Sequence, residues 1–284
     1  MIVAILGSGT MGVGIAAVVA MAGDDAVLYD VSDDQLKRAI QSLRGIFTKA
    51  AEKGAIPADA VEACLLRCSM VTQLSMLDRC DLIIEAAPES YEIKNELFKN
   101  VERWIRPDAI LATNTSSLSV DKLASQLAHP ERFFGLHFFN PVHLMKLVEV
   151  IPGIRSNTAL LPDLIALMKK WRKIPVVAQD FPGFIVNRLA RHYYGEALRI
   201  AGDGIADYAT VDRILKAAGF KMGPFELMDL IGIDINYAAT CAVYDGFMQE
   251  PRFRPHPLQA KMVASGMLGR KTGQGFYNYP KESK

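Results

Sequence analysis

Long apolar runs, cysteine and net charge are all scarce in this chain of 284 residues. No apolar stretch reaches the roughly 20 residues that cross a bilayer as a helix, which argues against a membrane-spanning protein. Four cysteines, Cys64, Cys68, Cys80 and Cys241, are too few for a disulfide scaffold and suit reduced thiols in a cytoplasmic protein. Cys64 and Cys68 are spaced as on one helix face. With no histidine nearby, they fit structural thiols better than a metal site, and no metal is expected. Lys+Arg number 32 against 31 Asp+Glu, a net charge of +1. No global field recruits nucleic acid or an anionic membrane. The opening "MIVAILGSGTMG" lacks the basic start of a signal peptide.

What is present is ordinary globular material: 50% hydrophobic and 22% charged residues, enough for one large domain or two smaller ones. Short apolar runs in the first 180 residues, "MIVAIL", "DAVLYD", "DLIIEAA", "AILATNT", "FFGLHFF", "KLVEVIP" and "IPVVAQD", have strand character and alternate with helical patterns. Helical periodicity from Asp33 to about Cys68, broken near "GAIP", predicts a helical hairpin inserted between strands. Beyond Gln179–Pro182 helical patterns dominate. Pro182 suits the first position of a long helix through "GFIVNRLARHYYGEALRIAG", and the segments 207–218, 224–245 and 256–266 are also helical in pattern. The expected architecture is α/β: a doubly wound parallel sheet over residues 1–180, then an all-α domain over 181–284.

Gly7-Ser8-Gly9-Thr10-Met11-Gly12 stands between the first strand and an apolar helix. Such a turn is tight at its first glycine, lets backbone approach a pyrophosphate at the second, and lets helix and strand pack closely at the third. The helix N-terminus offers N–H groups and partial positive charge to phosphates. The second strand leads into Asp30, where a carboxylate accepts hydrogen bonds from a ribose 2′-hydroxyl and repels a 2′-phosphate. The next residues, Val31-Ser32-Asp33, hold no arginine to receive that phosphate. A bound dinucleotide follows, NAD rather than NADP, with FAD as the structural competitor.

"GLHFFNPVHLMKLVEV" holds the second constellation. His137 lies in one apolar run and Glu149 interrupts another. A buried carboxylate without a partner is costly. Two adjacent strands would bring Glu149 to one ring nitrogen of His137, fix its tautomer, and leave the other nitrogen for proton exchange with a substrate.

These segments, with "NTSSLSV", "PGFIVNR", "GPFELMDLIG" and "LGRKTGQGFYNY", resemble the NAD-dependent L-3-hydroxyacyl-CoA dehydrogenases over nearly the whole chain, and most closely the 3-hydroxybutyryl-CoA type. The resemblance implies a Rossmann-type domain, a helical C-terminal domain for substrate binding and dimerisation, and interconversion of (S)-3-hydroxyacyl-CoA and 3-ketoacyl-CoA. It implies His137 as catalytic base and Glu149 as its partner, with Ser116 and Asn187 holding the reacting oxygens. It puts Glu89, Lys94 and Lys271 on the cofactor side. Ser42 and Lys49 match positions that contact coenzyme A, and Lys53 extends their helical face by one turn. A homodimer is the expected assembly.

His143 and Phe181 depart from the family pattern. His143 could meet a carboxylate at the far end of the acyl group, which would favour a 3-hydroxydicarboxyl-CoA; a loop histidine is the plainer account. His129 and His256 precede prolines as turn residues, and His192 suits a packing or interface position on its helix. Three other classes stay open: β-hydroxyacid dehydrogenases, sugar-acid dehydrogenases related to crystallins, and a non-enzymatic NAD-binding sensor.

Overall fold

The computed structural model describes residues 1–279, which divide into two compact units, Met1–Asp180 and a second from Phe181 onward. In chain order the first unit contains β1 (Ile2–Leu6), α1 (Thr10–Met21), β2 (Asp25–Tyr29), α2 (Asp33–Glu52), α3 (Ala60–Leu66), β3 (Cys68–Val71) and β4 (Leu82–Glu85). It continues with α4 (Tyr91–Val101), β5 (Ile110–Thr113), α5 (Val120–Ala124), β6 (Phe133–Phe138), β7 (Leu147–Pro152), α6 (Leu161–Lys170) and β8 (Ile174–Val177). The strands form one sheet in the order β3-β2-β1-β4-β5-β6-β7-β8.

β1 and β4 are buried along almost their whole length, as strands covered on both faces must be. Helix α1 is buried from Gly12 to Ala20. Its close approach to β1 depends on Gly12, where a Cβ would stand 1.9 Å from the Gly7 carbonyl oxygen. Helix α2 starts at Ser32, whose Oγ accepts from the Gln35 N–H. It buries the stripe Leu36, Ala39, Leu43 and Phe47 and packs against α1 and α3.

The expected doubly wound parallel sheet is present, with one pair that departs from it. β6 and β7 run antiparallel, while the other neighbours are parallel. The connection, residues 139–146, is too short for the crossover that a parallel pair requires. β3 is a strand that the sequence pattern did not reveal: "CSMV" has only its last residue fully buried. Cys64 and Cys68 therefore lie on different elements, α3 and β3, not on one helix face.

The second unit comprises α7 (Val186–Gly202), α8 (Tyr208–Ala217), α9 (Pro224–Ile231), α10 (Ile233–Gly246) and α11 (Pro257–Ala264). Its core gathers Tyr194, Leu198, Phe225, Met228, Ile233 and Phe276, among others. Two expectations fail here. Pro182 does not open α7, because Gly183 and Phe184 turn the chain with positive φ before Val186. The segment 224–245 is two helices, divided at Gly232, whose φ of 103° lies outside the helical region.

Candidate active site

His137 and Glu149 face each other directly across the β6/β7 register. Directly opposed residues of an antiparallel pair project to the same face of the sheet. The two side chains meet with Nδ1 and Oε2 2.7 Å apart. His137 is 3% exposed and Glu149 1%, so the carboxylate is held against the ring in a nearly dry setting. A carboxylate accepts, so it fixes the proton on Nδ1 and leaves Nε2 as the acceptor. Nε2 lies 3.0 Å from the Ser116 Oγ. The Phe139 ring packs on the imidazole with centroids 4.5 Å apart.

Ser116 lies on the loop after β5, and Glu89 organises that loop. One Glu89 oxygen, Oε1, accepts from Thr115 Oγ1 at 2.6 Å, Ser116 N at 2.8 Å, Ser117 N at 3.0 Å and Ser117 Oγ at 2.9 Å. Burial works to raise the Glu89 pKa, but the Lys94 charge and these hydrogen bonds outweigh it and hold the carboxyl below its ordinary range. Lys94 itself is buried. Its ammonium lies 2.5 Å from Glu85 Oε1 and 3.2 Å from Glu89 Oε2, and donates to the Ala87 carbonyl at 3.2 Å. Glu85 ends β4 and also accepts from Thr113 Oγ1 at 2.7 Å. The Asn114 Oδ1 accepts from the Phe138 N–H at 2.8 Å and ties the end of β5 to β6.

The glycine-rich turn lies where the strand order reverses between β1 and β4, the usual ligand crevice of a doubly wound sheet. A groove of about 710 Å³ opens there, lined by Gly7, Gly9, Met11, Asp30, Ala87 and Ile93, among others. A Cβ on Gly9 would meet nothing within 4 Å, so the backbone there is open to a ligand. Among the described residues no side chain caps α1, which leaves its first N–H groups for phosphate oxygens. Asp30 accepts from the Ser8 N–H and Oγ on one oxygen and from the Ser32 N–H on the other. Its carboxylate is therefore fixed at the rim of the groove. These features fit a dinucleotide.

A second cavity, of about 480 Å³, is lined by Gly9, Thr10, Arg38, Ser42, Asn140 and His143, among others. Ser42 stands exposed on α2, its Oγ donating to the Arg38 carbonyl. Lys49 lies in the last turn of α2, and Lys53 caps the helix with its N–H on the Lys49 carbonyl. Lys53 thus stands one turn beyond Lys49, at the end of the helix. Burial, with Lys173, Lys53 and Lys49 nearby, pushes the His143 pKa down.

Asn187 and Lys271 belong to the second unit. Asn187 is in the first turn of α7, where its carbonyl accepts from Arg191 Nε at 3.0 Å. Lys271 pairs with Asp234 at 2.6 Å. His129 meets Glu131 at 3.1 Å beside its turn. His256 caps α11, and His192 packs on Phe253. Sequence reasoning missed Glu85, Thr113, Asn114 and Asn140. For Glu85 a signal existed, since "LIIE" sets a carboxylate on an apolar strand as "LVEV" does.

Residues 2–181 match the family model described as the NAD binding domain of 3-hydroxyacyl-CoA dehydrogenase, and residues 183–279 match that of its C-terminal domain. The chain is 44% identical over 281 residues to a 3-hydroxyadipyl-CoA dehydrogenase of Escherichia coli, covering 99% of this chain but only 59% of that protein. It is 40% identical to a 3-hydroxybutyryl-CoA dehydrogenase of Bradyrhizobium diazoefficiens, covering 98% and 94% of the two chains. Among solved structures, the (S)-3-hydroxybutyryl-CoA dehydrogenase of Ralstonia eutropha superposes with a TM-score of 0.95 at 36% identity, covering 99% of both chains. With both domain models matched in order and relatives of this identity covered almost end to end, the chain belongs to the 3-hydroxyacyl-CoA dehydrogenase family.

Proposed function

We propose that the protein interconverts (S)-3-hydroxyacyl-CoA and 3-ketoacyl-CoA, with short acyl chains such as 3-hydroxybutyryl as substrates. The observation that carries this reading is the line of side chains Glu149–His137–Ser116, joined at 2.7 and 3.0 Å. Bound NAD supplies the acceptor for the hydride that leaves C3. His137 Nε2 takes the 3-hydroxyl proton in the same step, and Glu149 stabilises the imidazolium that results. Ser116 Oγ, in reach of the same nitrogen, holds the reacting oxygen in line, and the resemblance to the family gives Asn187 the same task. In reduction the steps reverse, and His137 is the acid. Gly7, Gly9, Thr10, Met11, Gly12 and Asp30 hold the NAD diphosphate and ribose.

Coenzyme A is assigned to Ser42, Lys49 and Lys53. His143 belongs with that assignment better than with a distal acyl carboxylate: it lines a cavity with Ser42, and the cations that act on it include Lys49 and Lys53. A dicarboxyl substrate remains the second reading because a relative at 44% identity carries the name 3-hydroxyadipyl-CoA dehydrogenase. A homodimer through the second unit is supported by exposed apolar side chains on its helices, among them Leu189, Leu230 and Ile235. A cytoplasmic location agrees with the free cysteines.

The test is NADH formation from NAD and (S)-3-hydroxybutyryl-CoA, run beside 3-hydroxyadipyl-CoA, free 3-hydroxybutyrate and NADP. Turnover that requires coenzyme A and NAD is expected, with the higher kcat/KM on the four-carbon substrate. Turnover of the free acid would overturn the reading, and preference for the adipyl substrate would install the second one.

A further inference from the structure

Three arginines converge on one small cavity within the second unit. Arg191 of α7 lines it together with Thr240 of α10, Arg252 and Arg254 around the turn Pro251–Phe253, and His256 and Gln259 at α11. No carboxylate lines it among the described residues. Arg191 is only 4% exposed. Its Nε donates to the Asn187 carbonyl at 3.0 Å, and its Nη1 donates to the Asn236 carbonyl at 2.9 Å and to Thr240 Oγ1 at 2.6 Å. All three acceptors are neutral. None of the hydrogen bonds described for Arg191 uses Nη2, which carries two of the five guanidinium N–H groups. The Tyr194 ring, 5.2 Å from the guanidinium carbon, adds a π face and no counter-charge.

We infer that this cavity binds a single monatomic anion, of which chloride is the common one, held by Arg191 Nη2 and tying α7 to the segment 252–256. A buried cation is costly unless an opposite charge meets it. Burial pulls the Arg191 pKa from 12.5 down to about 10, so the side chain is still charged at neutral pH. A water could take up the Nη2 hydrogen bonds but would leave that charge unanswered. Size narrows the ligand further. The cavity holds about 10 Å³, room for one water-sized body, which is too little for phosphate, sulfate or an organic acid. Arg252 and Arg254 are exposed, so their side chains can yield to an ion somewhat larger than water. His256 joins as a donor: its Nδ1 accepts from the Leu258 N–H at 3.2 Å, which puts the ring proton on Nε2.

The test compares sodium chloride with sodium gluconate at equal ionic strength, on the full chain. Chloride at about ten times its Kd is expected to raise Tm by about 3 °C over gluconate, and the effect should saturate. Arg191→Met should abolish the difference between the salts. That change also removes the contacts to Asn236 and Thr240, so Arg252→Gln/Arg254→Gln serves as a second variant that leaves the interior intact. There the affinity for chloride is expected to fall about fivefold. Chloride NMR lines should broaden in the presence of wild type and sharpen again when bromide competes. Crystals soaked in sodium bromide should show an anomalous peak in contact with Arg191 Nη2.

Equal Tm in the two salts, with no bromide peak at Arg191, would overturn the inference. A chloride effect undiminished in both variants would overturn it as well, and so would a carboxylate from a second copy of the chain seated on Nη2. None of these readouts depends on turnover, so the outcome stands apart from that of the proposed function.

Discussion

Two regions of the molecule bury carboxylates, and they do it to opposite ends. In the first unit Glu149 meets an imidazole, a ring with one nitrogen that donates and another that can accept a proton. In the second, Asp212 and Asp229 are each 1% exposed and accept from groups that keep their protons. Asp212 takes the Phe225 and Glu226 N–H groups and the Tyr277 hydroxyl at 3.0, 2.9 and 2.8 Å. Asp229 takes the Phe276 and Tyr277 N–H groups and the Tyr279 hydroxyl, each at 3.0 Å. Burial and the neighbouring aspartates push both phenols up, Tyr279 to about 12. A buried carboxylate is thus no mark of chemistry in itself. What matters is whether its partner can give up or gain a proton in the working range.

The largest effect should come from His137→Asn, whose side-chain amide can still donate to the buried Glu149, with turnover down about 10²–10⁴-fold and little change in Tm. Steady-state kinetics and thermal denaturation together check this, and wild-type turnover would break the contrast. Asp229→Ala should do the reverse. Its three donors lose their acceptor, at about 1–3 kcal/mol for each buried group left unsatisfied, so Tm falls sharply. NADH affinity, read by fluorescence titration of the folded variant, should be unchanged.

The smallest effect concerns a buried group that titrates yet does no proposed chemistry. Lys173 donates to the carbonyls of Val142 and Met145, and burial pulls its pKa from 10.5 down to about 8. Between those values the unfolded chain keeps the proton that the folded one has released. Stability therefore rises with pH across that window. Relative to Lys173→Met, wild type should gain about 1–2 kcal/mol between pH 8 and 9.5 in urea denaturation. No difference in slope would place that cation in a wetter setting.

The same contrast explains what sequence alone could tell. Glu149 and His137 were legible because each breaks an apolar run, and seven of the strands were legible because their runs are short and apolar. Asp212 and Asp229 sit in helical segments where an acidic residue looks like an ordinary solvated face. The donors to Asp229 lie 47 to 50 positions away, and the Tyr277 hydroxyl that meets Asp212 lies 65 away, beyond the reach of local pattern. β3 escaped because "CSMV" follows α3 with almost no turn signal. The division of 224–245 escaped because Gly232 within an apolar helical pattern looks tolerable until its positive φ is seen. The antiparallel pairing of β6 with β7 was within reach, since the connecting loop is short.

The donors of Asp229 have a consequence for biosynthesis. Every hydrogen bond described for its carboxylate comes from residues 276, 277 and 279. A nascent chain that has released α9 but not Phe276 cannot close this part of its interior without stranding an anion. The second unit should therefore stay open, and available to chaperones, until those residues have left the ribosome.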